Sequence, residues 1–203
     1  MSVRFWQSNA RIIRRPARDN PRNRALVNSE QIESRFGSYR VKVLLQDANS
    51  RLASLCSEHD GKDICRTLAV TRFITPVADS LVDADKLIRD GRSIGSTLKQ
   101  AGMSINRDVI AEGTAHCGEG FVELAGGQIG IDELLYLRVY RLLAGPQNTA
   151  MVPYAIIAEA HHPEHIPPLT GMAPVSELTT GTLDEDATLA MATLLSALKY
   201  ATA

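Results

Sequence analysis

The chain has 203 residues, 44% of them hydrophobic and 22% charged, with a net charge of −1; this suffices for one ordinary domain with a sizeable core and excludes disordered and fibrous classes. Residues 1–24 hold seven Arg against one Asp, so the rest of the chain is acidic. An acidic body lacks the Lys and Arg that a nucleic-acid groove needs to neutralise phosphates, and no apolar run is long enough to span a bilayer.

Residues 1–28 read as a basic N-terminal arm. Its RIIRRPARDNPRNR stretch is broken by proline and has no apolar h-region, so it is not a secretory signal. A disordered arm is expected, with an organelle leader or a mis-assigned start as alternatives. Residues 29–203 read as a single α+β domain. A helical turn near Ser29 precedes a first strand in which Tyr39, Val41, Val43 and Leu45 alternate with polar residues. Asp47-Ala-Asn49 supplies turn chemistry, a second strand covers Arg51–Ser57, and Glu58-His-Asp-Gly61 closes a hairpin onto a third, Asp63–Phe73. Leu81, Ala84, Leu87 and Ile88 then recur at helical spacing up to Gly91, and Ser93 caps a second short helix that ends at Gly102. A fourth strand is expected over Met103–Glu112, a short helix or loop over Gly118–Ala125, and two more strands over Leu134–Leu143 and Pro153–Glu159 with a loop Ala144–Val152 between them. Four of the nine prolines fall in His161–Thr182, which is expected to be irregular. Ala187, Met191, Leu194, Leu195 and Leu198 give an amphipathic C-terminal helix. A meander, then helices, then further strands is an α+β pattern with an antiparallel sheet, not the alternation that marks a parallel one.

Several strands place one charged residue on a face that otherwise reads as core. By alternation, Arg66 shares a face with Ile64, Leu68 and Val70, and Arg51 with Ala53 and Leu55. In the same way Arg138 stands with Leu134, Tyr136, Tyr140 and Leu142, and Glu159 with Ala155 and Ile157. A pocket in which Arg forks grip carboxylates, with Glu159 on a hydroxyl or a proton, is one reading of this set. Charged groups that reach water along their stems, or that pair with one another, are the other. His161-His162-Pro-Glu-His165 and the set Cys56, His59 and Cys65 match no standard zinc spacing, so no metal is expected. The cysteines read as small core residues and the loop histidines as solvated. His116 and Cys117 are neighbours that point to opposite faces of an extended chain, which separates a nucleophile from its base. Three cysteines without close pairing fit a reducing, cytoplasmic setting.

Three segments, in order, resemble the chorismate lyases and the related ligand-sensing domains of one class of bacterial winged-helix regulators. The Arg51–Thr67 hairpin resembles the family's strand pair, with an Arg opening the first strand and an Arg-Thr in the second. Leu87-Ile-Arg-Asp-Gly-Arg-Ser-Ile-Gly-Ser-Thr-Leu98 is similar to its glycine-marked helix start, with Ser93-Ile94 where Pro-Leu is usual. Ala155-Ile-Ile-Ala-Glu159 resembles its last strand and glutamate. The chain differs in lacking a Ser-Leu-Thr start near residues 29–40, in the longer loop of its last hairpin, and in residues 167–203. The resemblance implies about six antiparallel strands with helices packed on one side and a pocket for a small aromatic acid. It implies a carbon–oxygen lyase that needs no cofactor and converts chorismate to 4-hydroxybenzoate and pyruvate in support of ubiquinone biosynthesis. By the same likeness Arg51 holds a carboxylate, Glu159 faces the ring hydroxyl, and both are catalytic; Arg66 and Arg138 join them as substrate-binding residues. The alternatives are a non-catalytic domain that binds or senses an aromatic acid, and a structural protein in which the Arg–Glu set is an internal network. No nucleic-acid or membrane partner is expected, and a monomer and a dimer both stand open.

Overall fold

The computed structural model describes residues 27–175 and 183–200. The basic arm lies outside them up to residue 26, and Val27 and Asn28 are already buried where the first helix starts. That helix, α1 (Asn28–Phe36), runs longer than a single turn and ends at Gly37, whose φ of 79° needs a residue without a side chain.

Patterning and turn chemistry build the first half of the sheet. After β1 (Arg40–Gln46), Asp47 Oδ1 accepts from the amides of Asn49 and Ser50 at 2.7 Å each and turns the chain into β2 (Ser50–His59). Asp60 and Gly61, both at positive φ, carry it into β3 (Lys62–Phe73). A 3-10 turn (Asp79–Leu81) leads to α2 (Val82–Arg89) and α3 (Ile94–Gln100). The second half holds β4 (Met103–His116), α4 (Glu119–Leu124), β5 (Leu134–Pro146), β6 (Val152–His161) and α5 (Glu185–Lys199). Asp184 caps α5, its carboxylate accepting from the Ala187 amide at 2.8 Å.

These elements form one six-stranded antiparallel sheet in the order β1-β2-β3-β6-β5-β4, the α+β class read from the sequence. β4, β5 and β6 outrun their expected ends because ladder partners continue past the local signal: Met103 pairs with Pro146 and Tyr136 with His161. The last hairpin loop is correspondingly short, residues 147–151.

Helices cover both faces of the sheet, where one was expected. On one face Leu68, Val70, Leu137, Val139, Ile156 and Ala158 pack under Phe121 of α4 and under Ala190, Met191 and Leu194 of α5. On the other, Ala69, Phe73, Tyr140, Leu142, Ala155 and Ile157 pack under Leu81, Ala84, Ile88 and Leu98 from the 3-10 turn, α2 and α3. The central strands β3 and β6 are consequently buried on both sides, and β6 shows it in its sequence as the apolar run Tyr154–Ala158. No helix among the described residues is long and apolar enough to cross a membrane.

Candidate functional site

The face under α1 and α3 is not completely filled. A cavity of about 60 Å³ remains there, several times the 10–15 Å³ or so that one water needs. All six strands contribute to its wall, through Val41, Arg51, Ala69, Arg107, Tyr140 and Glu159 among others, and the first residues of α1 and of α3 close it. Gly95 allows that closure: a Cβ there would stand 2.9 Å from the Cβ of Val27.

Arg51 and Glu159, singled out from the sequence, both line this cavity. Arg51 lies on β2, only 3% exposed, and its Nη1 donates to the carbonyls of Ile88 (3.1 Å) and Arg92 (2.8 Å). Ile88 O belongs to the last turn of α2, where helix carbonyls lack internal partners and the dipole favours a cation. Gly91, at φ 97°, bends the chain between those two acceptors. Arg51 pairs with no carboxylate among the described residues. Burial draws its pKa below the ordinary value and the phenols of Tyr39 and Tyr154 oppose that, but a guanidinium keeps its proton near neutral pH. A buried cation held by neutral dipoles alone, beside an unfilled space, is suited to an anion.

Glu159 stands on β6 directly opposite Arg138 of β5. Its Oε2 accepts from Arg138 Nε at 2.8 Å, with Nη2 at 2.7 Å, in a forked pair. Its Oε1 accepts from Tyr140 Oη at 3.0 Å and from Asn28 Nδ2 at 3.4 Å. Burial alone would raise the Glu159 carboxyl; Arg138 first, then His161 and Arg107, outweigh it and hold the pKa well below the usual carboxylate range. Burial likewise opposes the Arg138 cation, yet Glu159 and the phenols of Tyr140 and Tyr136 outweigh it and raise its pKa. Arg138 therefore holds Glu159 in place and is absent from the cavity wall.

Arg66 is placed elsewhere. Leu55 pairs with Thr67 and Cys56 with Cys65, so Arg66 is the unpaired residue of a β-bulge. The bulge resets the alternation and takes Arg66 off the face of Leu68 and Val70. Its Nε donates to Ser57 Oγ at 2.8 Å, its Nη1 to Glu164 Oε2 at 2.6 Å, and its guanidinium lies 4.0 Å from the Phe36 ring of α1. It fastens α1 and the segment after β6 to the β2–β3 hairpin.

Arg107 on β4 is the cation that sequence reading passed over. It lines the cavity, pairs with no carboxylate among the described residues, and its Nε is shut off from solvent without a hydrogen-bond partner. The signal was there: Ile105, Arg107 and Val109 alternate as the other four strands do, with one charge on an apolar face.

The histidines expected to be solvated are buried, His161 at 0%, His162 at 2% and His165 at 5% exposure, because β6 runs on to His161 and the following turn folds beneath α1. His161 Nδ1 lies 3.0 Å from Thr67 Oγ1, and its ring stacks on Tyr136 with centroids 5.4 Å apart. His165 Nε2 meets Asn28 Oδ1 at 2.6 Å. Asn28 thus ties His165 to Glu159 behind the cavity. No group of three His, Cys, Asp or Glu among the described residues is arranged to hold a metal. Cys56 and Cys65 are buried ladder partners, and burial pushes the Cys117 thiol up to about 11 while the neighbouring His116 turns to the carbonyl of Asp132. No protein-family model matches this chain, and no curated protein matches it.

Proposed function

We propose that the chain binds a small aromatic acid in the cavity between α1, α3 and the sheet, and that it acts there as a lyase on chorismate or a related enolpyruvyl acid. The observation that carries this reading is the buried Arg51 guanidinium, uncompensated by any carboxylate among the described residues and lining a cavity whose wall also presents Glu159. A ring carboxylate satisfies Arg51, and a ring hydroxyl donates to Glu159, an ionised acceptor with the apolar side chains of Leu55, Ile105 and Leu142 between. In the reaction the ether C–O bond breaks, the ring carbon that bears the hydroxyl loses its proton, and the departing enolpyruvate takes up a proton to give pyruvate and aromatic 4-hydroxybenzoate. The protein's part is to hold the ring, exclude water and keep both ends of the substrate paired.

A second reading has its own support. Four hydrogen-bond contacts already surround Glu159 and keep its pKa low, which makes it a good hydrogen-bond acceptor and a weak base. A pocket without a basic proton acceptor suits binding or sensing of an aromatic acid without turnover. Mixing the purified chain with chorismate and following 4-hydroxybenzoate and pyruvate together separates the two. Equal release of both products, lost in Arg51→Ala, is the expected result. Binding of 4-hydroxybenzoate without turnover establishes the second reading, and neither turnover nor binding refutes both.

A further inference from the structure

We infer that Arg107 is a second anion-binding residue of the cavity and that the ligand carries two negative charges, one for Arg51 and one for Arg107. The inference rests on the aromatic-acid reading and narrows it to dianions. The charges on the wall decide it. Among the described residues Glu159 is the only carboxylate lining the cavity, and Arg138 neutralises it through two short contacts from outside the wall. Arg51 and Arg107 are left as two cations with no carboxylate at ion-pair distance among the described residues, although the Arg107 charge helps to lower the Glu159 pKa. Were Arg107 present only to balance Glu159, it would duplicate a pair that is already complete. Its Nε is enclosed and lacks a partner, a cost that a buried donor bears unless something else accepts from it. Arg51 enters from β2 and Arg107 from β4, strands near opposite edges of the sheet, so the two cations reach the cavity from its two sides. The ring of Tyr140 lies 5.7 Å from the Arg107 guanidinium and gives it an apolar backing. Such a pair selects a planar ligand with two separated anionic groups over one with a single carboxylate.

Calorimetric titration of the full-length chain with 4-hydroxybenzoate and with 4-(carboxymethoxy)benzoate tests this; the second compound carries another carboxylate across an ether oxygen. The native chain is expected to prefer the dicarboxylate by about tenfold or more, as a charged hydrogen-bonded contact implies. In Arg107→Gln that preference should fall to about one, with Arg51 left as the anchor common to both compounds. Arg107→Lys, which keeps the charge and guards against a fold defect in the glutamine variant, should show an intermediate preference. A preference that survives in Arg107→Gln overturns the assignment. Equal affinity of the native chain for both compounds overturns it too and leaves the aromatic-acid site standing, whereas binding of neither removes the site itself.

Discussion

Glu159→Gln isolates the pair on which the cavity depends. The substitution keeps the side-chain shape and removes its charge, so Arg138 loses the carboxylate that meets it at 2.7 and 2.8 Å, and one amide NH2 must face either Arg138 or the Tyr140 hydroxyl. Breaking a buried ion pair from one side costs about 3–5 kcal/mol. Arg138 retains 16% side-chain exposure and can draw in water, which places the cost near the lower end, at about 3 kcal/mol. For a chain of this length that corresponds to a fall of roughly 6–12 °C in thermal midpoint. The pH dependence supplies an independent check. Because the folded pKa of Glu159 is depressed, its contribution is complete above the unfolded carboxylate pKa of about 4.3 and is lost as pH falls through the folded value. Native chain and variant should therefore differ most near neutrality and converge in acid. Urea unfolding followed by circular dichroism from neutral pH downward measures both quantities. Replacing both partners, in Glu159→Leu with Arg138→Met, should recover much of the loss, since well-packed apolar groups often match a buried pair. A single variant within about 0.5 kcal/mol of native at neutral pH, the range of ordinary surface changes, would refute the claim that the pair is a buried, mutually dependent unit.

Two other perturbations follow from the same geometry. Arg51→Met should abolish binding of 4-hydroxybenzoate yet change stability by no more than about 1 kcal/mol, because a buried cation without a carboxylate is exchanged for an apolar chain while two carbonyl hydrogen bonds are lost; retained binding in a titration would remove Arg51 from the site. Burial lowers the pKa of His161 and His162 and takes that of His165 to about 3, so unfolding gains protons below about pH 6.5 and stability should fall there by up to about 1.4 kcal/mol per pH unit for each histidine; urea midpoints that stay flat between about pH 7 and 5 would contradict their burial as neutral rings.

The parts legible from sequence are those set by local chemistry. The β1–β3 meander follows from alternation and from Asp47 and Gly61, and α5 from its Asp184 cap and apolar spacing. Arg51 and Glu159 were visible as charges on apolar faces, because alternation within one strand needs no knowledge of its neighbours. Whatever depends on pairing was hidden. The bulge at Arg66 exists only in register with Leu55 and Cys56, so a face inferred across it came out inverted. The ends of β4 and β6 are set by partners far away in sequence, and with β6 extended, His161 and His162 move from an expected loop into the interior. Helices on both faces likewise follow from the path of α1–α3 on one side and α4 and α5 on the other, which no single helix's periodicity reveals.

The four arginines that face or adjoin this layer divide by what surrounds them, and the division bears on function. Arg66 and Arg138 each meet a carboxylate, Glu164 or Glu159, at hydrogen-bond distance, and each joins separate elements of the fold. Arg51 and Arg107 meet none among the described residues and line the cavity. Desolvating the Arg51 guanidinium without a counter-ion is costly, and Met there would serve the core better; at Arg107 the cost falls on its enclosed, unpartnered Nε. Stability thus accounts for the first pair and not for the second. An internal Arg–Glu network of purely structural purpose would have paired all four. In a chain whose body is acidic overall, a buried Arg51 and a half-buried Arg107 beside one neutralised glutamate make a local positive field, and low-dielectric walls concentrate it on whatever anion enters.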